Sequence, residues 1–114
     1  MQQTEAPLWE ALLKHQQHAK GNFHVPGHKQ GQAFDAEAKV AFASILPYDL
    51  TEVGALDDLY QATGVIEQAQ ILAAEAFGSE QCYFLVGGTT AGNLAALMAV
   101  AQSEKPIVVQ RSSH

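Results

Sequence analysis

The sequence predicts an α/β fold: an N-terminal helical arm followed by the first βαβ unit of a larger sheet domain, truncated. Three observations predict it. Two apolar runs, residues 82–86 and 107–109, flank an alanine- and leucine-rich run at 94–101. A glycine turn, Gly87-Gly88, joins the first apolar run to the helical one. A strand, helix, strand order with short loops makes a βαβ unit with a right-handed crossover. On this reading residues 1–47 form the arm and residues 48–114 the incomplete start of the large domain.

The elements follow in chain order. Leu8, Trp9, Leu12 and Leu13 recur at helical spacing, so residues 7–19 read as an amphipathic helix. Thr4 is its candidate cap, Pro7 fits its first turn and Gly21 is a candidate stop. Trp9 reads as packing against a neighbouring subunit or domain. Residues 21–35 hold Gly21, Pro26, Gly27 and Gly31 and are a loop carrying His24, His28 and Lys29. A short helix over 35–45 follows, closed by Pro47. Residues 48–61 alternate Asp49, Glu52, Asp57 and Asp58 with Leu50, Val53, Leu56 and Leu59. That pattern is neither helical nor extended, and it predicts an irregular segment pinned by apolar anchors. Residues 62–77 present one apolar face, with Thr63 as candidate cap and Gly78 as stop. Strand 81–86, helix 90–102 and strand 106–110 complete the order.

Composition narrows the function classes. A chain of 114 residues that is 47% hydrophobic can bury one small core. Net charge is −6, and the six basic residues form no cluster of the kind that displaces counterions from nucleic acid. Cys82 stands alone, so no internal disulfide forms, which fits a reducing cytosol. No apolar run approaches the ~20 residues that span a bilayer, and the N-terminus lacks a signal-peptide pattern.

The most informative stretch is Val86-Gly87-Gly88-Thr89-Thr90-Ala91-Gly92-Asn93. The first N–H groups of a helix have no partner inside it, and the macrodipole is positive there. Glycines admit a ligand close to the backbone, and two threonines add hydroxyl donors. The result is an anion cup suited to phosphate; a capped strand-to-helix turn with no ligand has the same sequence. The Walker lysine of a nucleotide loop is absent. In His24-Val25-Pro26-Gly27-His28-Lys29, the Pro-Gly pair forbids the helix that would bring both histidines to one metal. A rigid loop offering imidazole and ammonium groups to an anion, or a turn whose histidines bond backbone, both fit. Lys29 sits in a glycine-rich loop, not in the desolvated pocket a covalent lysine needs. Asp49, Glu52, Asp57 and Asp58 suit a cationic ligand as a set. His114, at the end of the second strand, would lie on the same sheet edge as the cup and could stack on an aromatic cofactor.

These stretches together resemble a known family. The motifs are Phe23-His24-Val25-Pro26-Gly27-His28-Lys29, Asp49-Leu50-Thr51-Glu52-Val53, Leu56-Asp57-Asp58-Leu59, Gly64-Val65-Ile66 with Ala69-Gln70, Phe84 through Asn93, and Val109-Gln110-Arg111 with His114. In this order, across residues 7–114, the chain resembles the N-terminal part of the Orn/Lys/Arg decarboxylases, pyridoxal-phosphate enzymes of the aspartate-aminotransferase fold. The resemblance implies a fold-type I large domain and pyridoxal 5'-phosphate as cofactor. It assigns Thr89, Thr90 and Ala91 to the cofactor phosphate and His114 to the pyridine ring. It places His24, His28, Lys29, Asp49, Glu52, Asp57 and Asp58 as substrate or interface candidates. It implies decarboxylation of arginine, lysine or ornithine to the amine plus CO2, in a cytoplasmic homodimer or higher oligomer. The Ser-x-His-Lys motif that supplies the family's Schiff-base lysine does not occur in residues 1–114, so no catalytic residue is assigned. Gly87 stands where relatives often carry Asn. A non-catalytic truncated paralogue or partner-binding fragment is the alternative. Another enzyme of the same fold fits less well, because the His-Val-Pro-Gly-His-Lys and Leu-Asp-Asp-Leu runs resemble the decarboxylases in particular.

Overall fold

The computed structural model describes residues 1–18, 21–102 and 104–113. The chain separates into two compact units, Met1–Tyr83 and the remainder from Phe84. The first unit holds three helices: α1 (Pro7–His18), α2 (Ala36–Phe42) and α3 (Val65–Phe77). Two single 3-10 turns, Leu46–Tyr48 and Gly54–Leu56, lie between α2 and α3. The second unit contains α4 (Gly88–Val100).

Four helices lie in the stretches whose residue patterns predict them, but α2 is shorter than the expected 35–45, α3 starts after the expected residue 62, and α4 starts before the expected residue 90; local chemistry sets these ends. At the start of α1, Glu10 accepts a bond from the Ala6 N–H at 3.2 Å, the service expected of Thr4. The Asp35 carboxylate caps α2 through the Ala38 N–H at 2.8 Å. Gly78 ends α3 in the left-handed conformation at φ 65°, which only glycine adopts without a Cβ penalty. Residue 19, the expected end of the first helix, lies outside the described residues.

The core belongs to the first unit. Leu46, Leu56, Ile66, Leu72 and Ala74 are its buried side chains. Each large one contributes roughly 1.5–3 kcal/mol relative to exposure. The Trp9 ring packs tilted against that of Tyr48, with ring centroids 4.9 Å apart, and so joins α1 to the Leu46–Tyr48 turn of its own unit.

The expected βαβ unit does not form: among the described residues there is no strand. Residues 81–85 and 106–110 are irregular, and Val108 is 94% exposed. The α/β class, with its fold-type I sheet, is therefore corrected to a helical arrangement. The reason lies in where the hydrogen bonds come from. A helix closes its own N–H···O=C bonds, whereas a strand's bonds must all be supplied by another strand. The apolar patterns at 81–86 and 106–110 are present without that ladder. In the second unit Leu85 instead packs on α4, its Cδ1 2.7 Å from where a Cβ on Gly92 would stand.

Candidate functional site

The His24–Lys29 loop is held by its own polar side chains. Val25–Pro26 is a cis peptide, and Lys29 and Gln30 adopt left-handed φ values of 51° and 55°. Lys29 Nζ donates to the His24 carbonyl at 2.5 Å, folding the ammonium back over the loop. The Gly31 N–H donates to His28 Nδ1 at 3.1 Å. That bond makes Nδ1 the acceptor, so the proton sits on Nε2, which donates to Asp49 Oδ2 at 3.0 Å. Both nitrogens of His28 are thus engaged. The His24 ring lies 6.0 Å from that of His15, and its Nδ1 bonds the Val25 carbonyl at 2.7 Å. Gly31 is required here, because a Cβ would come 2.8 Å from the buried Leu46 side chain at φ 87°.

The four carboxylates of residues 48–61 do related work. Asp49 holds His28. Glu52 Oε1 accepts from the Leu59 N–H at 2.7 Å. Asp58 Oδ1 accepts from Tyr60 and Gln61 at 2.8 and 3.3 Å. Asp57 does most. Its two oxygens accept from five backbone N–H groups: Asp58, Thr63, Gly64, Ile66 and Glu67. Gly64 is the cap of α3, and Ile66 and Glu67 lie in its first turn, so Asp57 is the anion at the N-terminus of that helix. Partial burial alone would raise its pKa, but the N–H groups of Thr63, Asp58, Gly64 and Ile66 outweigh it. The carboxyl is held well below the ordinary range. The residue adopts φ 69° and ψ −177°, a conformation that costs roughly 1–3 kcal/mol outside glycine.

An irregular segment cannot satisfy its backbone through a ladder or a helix, so side-chain carboxylates satisfy it instead. This is the physical reason for acids in a stretch with no regular structure. Thr63, the expected cap of α3, contributes only its backbone N–H; Gly64 occupies the cap position and Asp57 supplies the acceptor. Sequence reading missed this because the donors lie up to ten residues from the acceptor.

The glycine-threonine turn lies in the second unit. Helix α4 begins at Gly88, so Thr89 and Thr90 stand in its first turn. Gly87 is its cap and makes no side-chain capping bond. The N–H groups of Gly88, Thr89 and Thr90 have no carbonyl ahead of them in the helix to receive them. Gly88 takes φ +70°, and a Cβ on Gly87 would stand 2.9 Å from that of Ala91. Both glycines are therefore needed for the tight approach of the turn. Thr89 and Thr90 are exposed, and Ala91 is half-buried. His114 lies outside the described residues. Among the described residues no group of three or more His, Cys, Asp or Glu is arranged to hold a metal.

Comparison with known proteins adds the following. The family described as Orn/Lys/Arg decarboxylase, major domain, matches residues 6–114. YaaO of Bacillus subtilis (strain 168) is 45% identical over 108 residues, which cover 95% of this chain and 22% of that protein. The arginine decarboxylase of the same organism is 40% identical over 115 residues, covering 100% of this chain and 24% of the relative. The arginine decarboxylase of Halalkalibacterium halodurans is 37% identical over 113 residues, covering 98% of this chain and 23% of the relative. The chain thus spans about a quarter of the length of the curated relatives it matches. No solved structure matches it.

Proposed function

We propose, for a chain that belongs to the Orn/Lys/Arg decarboxylase family, that it contributes the phosphate-holding turn of a pyridoxal-phosphate enzyme that decarboxylates a basic amino acid. The observation that carries the reading is the N-terminus of α4, which has no side-chain cap and carries two exposed threonines in its first turn. A phosphate needs several N–H and O–H donors converging on a small volume, with positive potential behind them. The first turn of α4 offers three backbone N–H groups, two hydroxyls and the positive end of the helix dipole. These donors fit the phosphate of the cofactor. When bound, the cofactor supplies an electron sink for the carbanion left by departing CO2.

This chain's own part is positional. Gly88, Thr89 and Thr90 hold the anion, and Ala91 backs the turn without adding a polar group. His114 is proposed to lie over the ring. The similarity to arginine decarboxylases favours arginine among the basic amino acids. The bonded loop around His28 and Asp49 is proposed to border the substrate region or a subunit interface. The enzyme is proposed to work in the cytoplasm as a homodimer or larger assembly; no helix among the described residues is long and apolar enough to cross a membrane.

The test uses pyridoxine 5'-phosphate, which lacks the aldehyde and so cannot form imines with surface lysines. Equilibrium dialysis of the full chain is expected to show tighter binding of pyridoxine 5'-phosphate than of pyridoxine. The double variant Thr89→Val, Thr90→Val is expected to lose about thirtyfold of that difference, two charge-assisted bonds each contributing of order 1 kcal/mol. Equal binding of the two compounds by the unaltered chain would remove the proposal.

A further inference from the structure

We infer that the groove between α1 and the N-terminal half of α3 binds a small amphipathic carboxylate. The groove has a volume of about 520 Å³ and is lined only by residues of the first unit. That volume suits a small-molecule site. One wall is α1, which contributes Ala11, Lys14, His15 and His18; the facing wall includes Leu56 and Val65. An apolar lining with basic groups along one helix is the arrangement that receives an anionic head and an apolar body together.

The sign of the charge is written in the sequence. Residues 11–34 contain no Asp or Glu, although the chain carries 12 acids in all. The one carboxylate bordering the groove, Glu10, already accepts the Ala6 N–H. Among the described residues the sole ion pair is His28–Asp49, so Lys14 meets no carboxylate there. His18 donates Nδ1–H to the Lys14 carbonyl at 2.8 Å, which leaves Nε2 without a partner among the described residues. His15 Nε2 is enclosed, yet finds no hydrogen-bond partner among the described residues. An enclosed polar atom without a partner costs free energy that a bound group can recover. Lys14, His15 and His18 thus all line a single largely apolar groove.

The experiment titrates the isotope-labelled full chain with hexanoate, and with hexanol and hexylamine as head-group controls, reading NMR shifts. Hexanoate is expected to bind with a Kd on the order of 1 mM, a normal yield for so small a ligand. It should move the ring signals of His15 and His18 and the methyl signals of Val65. Hexanol should bind more weakly, and hexylamine should move none of these signals. Lys14→Gln, at an exposed position, should weaken hexanoate about fivefold and leave hexanol unchanged. Ala55→Leu, at an exposed position bordering the groove, should weaken both ligands by filling it. Hexanol binding as tightly as hexanoate, or indifference of hexanoate to Lys14→Gln, would overturn the inference. So would hexanoate shifts confined to residues outside the groove. Because the groove and the turn at Thr89 are read by different ligands and different signals, failure at one leaves the other standing.

Discussion

Helices α3 and α4 begin alike and are completed differently. Each has a glycine at the cap position, Gly64 and Gly87, and neither glycine supplies a side-chain acceptor. Each therefore exposes a turn of unpaired N–H groups at the positive end of a helix. At α3 the chain fills that turn itself: the Asp57 carboxylate reaches in and takes the N–H groups of Gly64 and Ile66 at 2.9 Å each. At α4 no side-chain cap forms, and exposed hydroxyls stand in the open turn. One helix start is a structural joint, and the other is the one proposed above to receive an external anion. The difference teaches that an anion cup is not by itself a site; what matters is whether the fold already provides the anion.

The comparison can be broken most forcefully at Asp57. Asp57→Ala leaves five N–H groups without their acceptor and is expected to cost the first unit about 2 kcal/mol, the upper range for loss of a helix cap. Denaturant unfolding followed by Trp9 fluorescence would measure it. Relief of the φ 69° strain cannot rescue the variant, because alanine also disfavours that conformation.

Acid sharpens the same contrast. The folded Asp57 carboxyl lies below its ordinary 3.8, so its contribution is present above that pH. The contribution is lost as pH falls further, through the folded value. Unfolding free energy measured from pH 6 downward should fall more steeply for the unaltered chain than for Asp57→Asn. Parallel curves would mean that Asp57 is not the anion of α3.

At the other helix, Gly88→Ala forces a Cβ onto a backbone at φ +70°. The expected cost is about 1 kcal/mol, with weakened binding of pyridoxine 5'-phosphate, while the first unit keeps its unfolding midpoint. The smallest effect is expected at Asp49→Asn. Its side chain is 59% exposed, so loss of the charge opposite His28 should change stability by less than about 1 kcal/mol.

Much of the helical architecture was legible in the residues. Periodic apolar positions placed α1 and α3, and Gly78 marked the end of α3, because helix bonds and helix stops are local events. The sheet read from the residues does not form among the described residues. Residues 82–86 have the composition of a buried strand, but composition cannot supply the second strand that would bond them. Long-range caps were equally hidden: Thr63 looked like the start of α3, while the working acceptor was Asp57, before an intervening loop. The helix expected over 90–102 is present as α4, but it starts at Gly88, so both threonines lie in its first turn, and no strand precedes it. The His24–Lys29 loop and the acids of 48–61 were singled out together, and the structure does join them, through His28 and Asp49. What the residue types could not reveal is that Lys29 and Asp57 spend their polar atoms on backbone, and His28 on backbone and on Asp49.

The most direct measurement is a titration of the isotope-labelled full chain with inorganic phosphate at constant ionic strength, following backbone amide signals at both helix starts. Saturable shifts are expected at Gly88, Thr89 and Thr90, with none at Gly64 and Ile66, whose N–H groups Asp57 already holds. Equal response at the two helix starts, or no response at α4, would contradict the account.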